Sequence, residues 1–407
     1  MDDTSTEPPK SDNSPSGVTV STTYNFEVTD SPHSVLGNNN LIQWILNVPR
    51  AVWVLVSAVL TGILATGFGA LYFGWFAPEF APNYRTMFLV DASETTDSQG
   101  LSALTESLKK TMGNSGDEDF IGLRALGGEC GVSANTRRLV PFGTGNRQQI
   151  TDAAGRMSPS GKPTLVRGIV EAVADFSKPL HQKARQVDRI IVVARHGIDA
   201  CDDDAAFVEN EIRQRVSAAG LSLEFRFVGY KVPKIQRAGL ERMAEAVKAP
   251  APFHADTQAD LDRALDHFAN AEPILTGAQH MVDEFNTATG QVEQAVQEMV
   301  DGRPDIAAKT LGRAEKTAGG TGDLLDELAA RARSPYGRDI KQRAEALRGR
   351  QERVLAAATD LLGAARAGSP LERGLAVFQQ AADAYNTERT SMNRALSRLR
   401  GGLAGSS

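Results

Sequence analysis

The sequence predicts an α/β domain with a doubly wound, mostly parallel sheet, preceded by one transmembrane helix and followed by an all-α bundle. Short apolar runs alternate with helix-length stretches in the first half of the chain, which is the pattern of parallel βαβ units. An uncharged apolar run lies ahead of them at 51–76. From residue 256 onward the chain is rich in Ala, Glu, Arg, Leu and Gln, and apolar residues recur at helical spacing.

The amino-terminal segment 1–48 is rich in Ser, Thr, Asp, Asn and Pro and has only a short apolar island at 41–48. Such a composition buries too little apolar surface to offset the entropy lost on ordering. We therefore expect 1–48 to be a disordered, acidic tail.

The run 51–76 is long enough to cross a bilayer, because a span needs about 20 apolar residues. Trp53 lies near one end, and Tyr72 and Trp75 near the other, as in the aromatic belts of membrane helices. A cleaved signal peptide has a shorter apolar core close to the chain start, and a buried core helix rarely stays uncharged for this length. The run predicts a single-pass membrane anchor.

Basic residues near the span give a weak indication of its orientation. Arg50 abuts the first end, whereas Arg85 is the nearest cation beyond the second end. Because cations favour the cytoplasmic side, proximity favours an amino terminus inside and the remaining domains outside, at the cell membrane.

The stretch FLVDASETT places an acid and two hydroxyls directly after a buried strand. Residues 87–90 are apolar and run into Asp91, Ser93 and Thr95. In an open α/β sheet, ligands bind at the carboxyl ends of the strands. Hard oxygen ligands suit Mg²⁺, Mn²⁺ or Ca²⁺.

The segment 84–250 resembles a von Willebrand factor A domain, with its pieces in the order shown by bacterial members of that family. The resemblance implies a doubly wound sheet, and we assign 84–270 to this domain because HADTQADLDRALDHF is similar to the family's last helix. The pieces that carry the resemblance are FIGLRALGGEC, TRRLVPFG, GNRQQI, GKPTLVRGIVEAVADF, RIIVVARHGIDAC and LEFRFVGY.

The resemblance implies a metal-ion-dependent adhesion site, in which Asp91, Ser93 and Thr95 match the first loop. On the second loop the family usually reads Thr-Pro-Leu, whereas here the proline precedes Thr164. The third loop of the family reads Asp-Gly, and His196 stands in the place of that Asp.

Imidazole is a poor ligand for Mg²⁺ and favours Zn²⁺ or other transition metals, so the site is degenerate. Asp199 and the acids at 202–204 lie close by in sequence and are possible substitutes for the missing carboxylate. Two interpretations stay open. The site holds Mg²⁺ or Mn²⁺ weakly, with Ca²⁺ and Zn²⁺ less favoured, or the edge is structural and binds no cation.

The sheet order of the family also brings the two cysteines together. Cys130 follows the strand at 120–126, and Cys201 follows the strand at 189–194. In the family these strands flank the central strand, so their ends lie about 10 Å apart and loops can close that gap. A disulfide implies an oxidising compartment, which agrees with an exported domain. The alternative is two unpaired thiols.

The region 273–401 is predicted to be a helical bundle of about four helices, beginning near Ile274, Asp305, Arg338 and Pro370. Breaks fall at Gly302–Pro304, Ser334–Pro335 and Gly368–Pro370. Heptads are not sustained through these breaks, so an antiparallel bundle is favoured over one long coiled coil. Alanine at many contact positions predicts close helix approach.

Catalytic signatures are missing from the sequence: there is no phosphate-binding loop, nucleophile elbow or HExxH motif. A net charge of −6 argues against nucleic-acid binding. We therefore expect a non-enzymatic, membrane-anchored module that binds an unknown protein partner at the cell envelope through the edge around Asp91. The alternatives are a metal-independent scaffold that works through its bundle, and a hydrolase that uses His196 with a metal-activated water.

The predicted topology is testable by cysteine scanning. Ser406→Cys should react with a membrane-impermeant thiol reagent on intact cells and Ser16→Cys should not, because the anchor lies between them and Arg50 favours the inside. Labelling of position 16 alone would reverse the orientation.

Overall fold

The computed structural model describes residues 83–94, 98–131, 135–176, 186–201, 210–211, 213–214 and 223–403. The predicted tail 1–48 and the predicted span 51–76 lie outside these ranges, as does Thr95. Within the described part of the chain, no helix combines the length and apolar character needed to cross a membrane.

Six strands form one sheet, and all of them are parallel except for the antiparallel strand β3. The spatial order is β3-β2-β1-β4-β5-β6, so β1 is flanked by β2 and β4 as expected. The strands are β1 (Asn83–Asp91), β2 (Phe120–Leu126), β3 (Thr136–Gly143), β4 (Gln186–Ala194), β5 (Leu223–Tyr230) and β6 (Phe253–Ala255).

Helices cover both faces of this sheet, which confirms the predicted mixed α/β architecture. They are α1 (Ser98–Asn114), α2 (Arg147–Gly155), α3 (Leu165–Phe176), α4 (Lys234–Ala246) and α5 (Gln258–Asp266). Residues 210–211 and 213–214 are also helical, and the rest of 202–222 lies outside the described residues.

Alternating side chains of the central strands pack into two separate hydrophobic cores, one on each face of the sheet. Met87 and Leu89 pack under α3 and α4, whereas Phe88 and Val90 pack under α1, α2 and α5. All four side chains have no exposed surface. A strand buried on both faces must be apolar throughout, which explains the uninterrupted run that ends at Asp91.

The carboxyl-terminal region is a bundle of five helices, one more than expected. The helices are α6 (Glu272–Val300), α7 (Pro304–Gly319), α8 (Thr321–Arg331), α9 (Pro335–Arg366) and α10 (Glu372–Arg400). The additional boundary falls at Gly320, which separates α7 from α8 in the region where one continuous helix was expected. Glycine is a poor helix former, so a Gly-Gly pair is enough to interrupt the helix without proline.

The legs of the bundle alternate in direction. Gly337 lies against Ile274, and Gln351 donates to the Phe285 carbonyl, so α6 and α9 run parallel. Arg343 donates to Ser391, and Gly374 lies against Leu361, so α9 and α10 run antiparallel. Alanines without exposed surface line the core, and their small side chains allow the close approach of helices that the sequence predicts. They include Ala278, Ala288, Ala295, Ala307, Ala314, Ala344, Ala358 and Ala382.

A continuous helical path joins the two domains through a π-helical turn, His267–Ala271, between α5 and α6. Arg189, which is 1% exposed, donates to the carbonyl of Phe268 at 2.5 Å and to Glu224 at 2.8 Å. Its guanidinium also lies 4.6 Å from the centre of the Tyr84 ring. A π-turn leaves backbone groups out of the regular ladder, and Arg189 supplies a donor to one of them.

A second set of contacts ties the amino ends of the strands to α8 and α9. Arg331 pairs with Asp119 at 3.2 Å, and its guanidinium lies 5.4 Å from the centre of the Tyr84 ring. The Tyr336 hydroxyl donates to Asp266 at 2.9 Å. The bundle therefore joins the α/β domain at the amino ends of the strands, opposite the carboxyl ends where Asp91 lies.

We expect Arg189→Met to destabilise the protein by about 3 kcal/mol, because it leaves buried acceptors without a donor at the domain junction. Arg303→Met is the matched control: its pair with Asp301 is half exposed, and its loss should cost less than about 1 kcal/mol. Urea unfolding of the two variants measures the difference, and equal midpoints would show that the junction does not depend on Arg189.

Candidate functional site

Asp91, the last residue of β1, accepts four hydrogen bonds although it is only 1% exposed. Its Oδ1 atom accepts from the backbone N–H of Ser93 at 3.0 Å and from the Ser93 hydroxyl at 2.5 Å. Its Oδ2 atom accepts from the backbone N–H of Arg195 at 2.9 Å and faces Nδ1 of His196 at 3.0 Å. Both carboxylate oxygens are thus engaged within the protein.

The loop after β4 reaches Asp91 because β4 is the direct neighbour of β1 in the sheet. Gly197 in this loop packs against α4 so closely that a Cβ atom there would lie 1.8 Å from the Gln236 carbonyl oxygen. A Cβ atom on Gly239 would lie 2.0 Å from the Gly197 carbonyl oxygen. Two glycines therefore allow the contact that holds His196 beside Asp91.

The pKa of Asp91 reflects two opposing effects. Burial alone raises the pKa of a carboxyl group, because the charged form loses its hydration. Here the hydrogen bonds and charge of His196 and the hydrogen bonds from Ser93 outweigh burial and hold the pKa of Asp91 below its ordinary value. These contacts therefore favour the ionised form of the Asp91 carboxylate.

His196 is placed as a partner of the carboxylate rather than as a proton relay. Its Nδ1 atom lies 3.0 Å from Asp91 Oδ2 and 3.2 Å from the Ser93 hydroxyl. A serine relay needs the hydroxyl on one ring nitrogen and the carboxylate on the other. Because the same nitrogen faces both groups, the arrangement does not match that of a serine hydrolase.

Thr164 lies near the edge but its hydroxyl is fully used between two loops. It has no exposed surface, donates to the Asn135 carbonyl at 2.7 Å and accepts from the Gly127 N–H at 3.1 Å. The hydroxyl therefore holds the loop after β2 against the start of α3.

Asp199 caps α3 from the loop after β4. One of its oxygens accepts from the Val166 N–H at 2.7 Å in the first turn of that helix, and the other accepts from the Cys201 N–H at 2.8 Å. A carboxylate at a helix amino terminus satisfies free N–H groups and complements the helix dipole. The position of Asp199 thus has a structural explanation.

A disulfide joins Cys130 to Cys201, with 5.2 Å between their Cα atoms, and confirms the predicted bridge. It connects the loop after β2 to the loop after β4. The Ala200 N–H also donates to the Pro163 carbonyl at 2.9 Å. Three loops at the carboxyl edge are therefore fastened to each other around Asp91.

The predicted metal ligands are brought together only in part. Asp91, Ser93 and His196 are in contact, whereas Thr164 and Asp199 are engaged elsewhere and Thr95 lies outside the described residues. Among the residues that the structure describes, no three or more His, Cys, Asp or Glu side chains form a metal-binding group. A cation at Asp91 would have to displace hydrogen bonds already made. The predicted Mg²⁺ or Mn²⁺ stays a prediction.

Arg195 contributes to the site and was missed at the sequence level. Besides its backbone bond to Asp91, it donates from Nη1 to the Ser93 carbonyl at 3.3 Å. A Cβ atom on Gly100 would lie 2.9 Å from its guanidinium, so this glycine in α1 makes room for it. The position directly after a buried strand was the available signal, but nothing in the pattern specified the side chain's direction.

The surface beside this site carries a depression and an apolar patch. The depression has a volume of about 970 Å³ and is lined in part by Glu94, Glu129 and Lys162. On the α4 side, Ile235 is 92% exposed and Ile198 is 45% exposed. Ile198 lies beside Gly239, which is one helical turn along α4 from Ile235.

Comparison with known proteins gives a fold likeness at low identity. The chain matches no protein-family model and no curated protein. Similar solved structures are von Willebrand factor A domains. A von Willebrand factor type A protein from Catenulispora acidiphila shares 14% identity at a TM-score of 0.36, over 46% of this chain and 42% of that one. This chain thus spans less than half of that protein.

Two further solved structures match a similar share of this chain. The SpRpn10 VWA domain shares 13% identity at a TM-score of 0.34, over 44% of this chain and 94% of that one. The vWF domain of the type V pili tip protein Mfa5 from Porphyromonas gingivalis shares 10% identity at a TM-score of 0.34, over 46% of this chain and 94% of that one. At this distance we take function from the geometry of the site.

Removal of the disulfide should weaken the carboxyl edge. The bridge spans 71 residues, for which loop-closure entropy predicts a stabilisation of up to about 4 kcal/mol. Cys130→Ser/Cys201→Ser should lower the melting temperature relative to the parent under oxidising conditions, and this difference should vanish with dithiothreitol. Two free thiols in the mass spectrum of the purified parent would rule the bridge out.

Proposed function

We propose that the protein is a membrane-anchored, non-enzymatic module at the cell envelope that binds a protein partner through the carboxyl edge of its sheet, without a divalent cation. The metal-independent form of this proposal rests on one observation: both oxygens of the Asp91 carboxylate already have hydrogen-bond partners within the protein. Its two oxygens accept from Ser93, Arg195 and His196.

Hydrogen-bond donors from Ser93, Arg195 and His196 surround the Asp91 carboxylate at this edge. A buried carboxylate is costly unless it is paired or hydrogen-bonded. In the family that the sequence resembles, a metal serves that purpose and completes its coordination on an acid from the partner. Here the donors come from the chain itself, so partner binding need not supply an acid or a cation.

The exposed apolar pair Ile198 and Ile235 supports this edge as the contact surface. The backbone next to each isoleucine is held by the close contact of Gly197 with α4 at Gly239. The disulfide at Cys201 fixes the loop that carries Ile198. A surface held rigid before binding loses less entropy on association, which raises affinity. The partner contact we propose is therefore apolar and centred on Ile235, with the Asp91–His196 pair as the support beneath it.

The position of the edge is consistent with the anchor. The predicted span precedes Asn83, and β1 begins there, at the amino end of the sheet. The carboxyl edge lies at the other end of the strands and faces away from the point where the chain enters the domain. A partner therefore has access to Ile198 and Ile235 without contacting the bilayer.

Capture of a partner from membranes tests both parts of this proposal. The full chain, used as bait, should retain the same protein with and without EDTA. Ile235→Asp should reduce that retention at least about tenfold, because it places a charge at the centre of an apolar contact. Ile306→Asp is the matched control: Ile306 is 46% exposed on α7, in the bundle, and its substitution should have no effect.

Calorimetry with Mg²⁺ and Mn²⁺ separates the remaining interpretations. The parent should give no binding heat, and His196→Asp should create weak binding, because it removes the imidazole and adds a second carboxylate beside Asp91. Saturable Mg²⁺ binding by the parent together with EDTA-sensitive capture would instead establish the cation-dependent function.

A further inference from the structure

The base of the bundle carries far more positive charge than the chain as a whole. Residues 333–353 and 386–403 contain eleven Arg and Lys but four Asp and Glu, although the net charge of the protein is −6. Part of this charge forms one surface, which we call the basic face: Arg338, Arg343, Arg350, Arg353, Arg394 and Arg398.

Helix geometry makes the basic face continuous. Arg343 of α9 donates to Ser391 of α10 at 2.5 Å, which identifies the sides of the two helices that meet. On α9, Arg350 falls on the same side as Arg343, whereas Arg353 lies about 80° and Arg338 about 140° round the helix from it, on the solvent side. On α10, Arg394 and Arg398 lie one and two turns beyond Ser391. The six arginines therefore share the solvent side of the α9–α10 pair.

Few acids neutralise this surface. Arg343 pairs with Asp339 at 3.1 Å. Among the described residues, no carboxylate lies within ion-pair distance of Arg338, Arg350, Arg353, Arg394 or Arg398. Arg338, Arg353, Arg394 and Arg398 are exposed to solvent. Such a surface favours a polyanionic partner over an apolar one.

The Arg338 end of the basic face lies near the point where the chain enters the α/β domain after the predicted span. Tyr84, the second residue of β1, contacts Arg331 at the end of α8, and α9 begins four residues later. Six residues, 77–82, separate the predicted span from Asn83, and they extend at most about 22 Å. The basic face is therefore held near the bilayer surface if the span is inserted.

We propose that the basic face docks on anionic phospholipid headgroups of the membrane that carries the anchor. This inference rests on the membrane anchoring in the proposed function. Cations near an anionic leaflet gain electrostatic free energy that decays within a Debye length, so proximity to the bilayer is decisive. Tethering raises the local headgroup concentration, which lets a modest patch bind. Docking holds the bundle against the bilayer.

Energy transfer in lipid nanodiscs tests the docking with the full chain. The two native cysteines are joined in the disulfide, so a thiol dye labels only Ala346→Cys, an exposed position among the basic residues of α9. Transfer to an acceptor-labelled headgroup should be higher in discs with about 30% phosphatidylglycerol than in phosphatidylcholine discs, and about 0.5 M salt should remove the difference.

Charge-removal variants show whether the basic face is responsible. Arg338→Gln/Arg394→Gln/Arg398→Gln should lower the ratio of docked to free bundle by more than about tenfold. The matched control, Lys309→Gln/Arg313→Gln/Lys316→Gln, removes three exposed cations from α7 and should leave that ratio unchanged. No dependence on anionic lipid, or equal losses in both variants, would overturn docking by this face.

Two further measurements separate the possible failures. Resistance of the chain to alkaline extraction from phosphatidylcholine vesicles tests the anchor alone. If the chain resists extraction but its energy transfer does not depend on anionic lipid, only the docking is overturned. If the chain is extracted, the proposed membrane function is overturned. A single-stranded RNA that binds the basic face more tightly than the anionic discs do would assign the surface to nucleic acid and overturn the lipid proposal.

Discussion

The buried carboxylate of Asp91 is the interaction on which the carboxyl edge depends. An ionised group with 1% exposure must receive hydrogen bonds or a counter-charge. Ser93 supplies two donors from its own loop, and Arg195 and His196 supply two more from the loop after β4. Satisfying one carboxylate therefore fixes the relative position of two loops. Asp199 and the disulfide then extend the same constraint to the start of α3 and to the loop after β2.

The sequence predicted the parts of this fold that follow from apolar periodicity. The central strands, α3 and the helical character of the bundle are all encoded in local runs, and the likeness to a known family was sufficient to pair Cys130 with Cys201. The boundary at Gly320 was missed because a glycine pair without proline is a weak signal. Strand β6 was missed because three residues carry no usable pattern.

The candidate site was predictable in its residues but not in its chemistry. Asp91, Ser93 and His196 were all singled out, yet the sequence presented His196 as a missing carboxylate or a transition-metal ligand. Its position beside Asp91 depends on the direction of the ring, which is set by the packing of Gly197 against α4. That packing is a tertiary contact between segments about forty residues apart, and spacing along the chain carries no information about it. The same limit explains why Arg195 was missed.

The two ends of the sheet have opposite physical character, and this polarity links the proposals. At the carboxyl end, the donors to Asp91 come from the chain itself and the nearby surface offers exposed isoleucines, which suits an apolar protein contact. At the amino end, Arg189, Arg331 and the π-turn connect the sheet to the bundle, whose helices α9 and α10 carry the basic face. A rigid junction transmits the orientation of the bundle to the α/β domain, because no flexible linker intervenes between α5 and α6. If the basic face holds the bundle on the bilayer, the junction sets the direction of the carboxyl edge, so anchoring and partner binding would be geometrically coupled through one continuous helix.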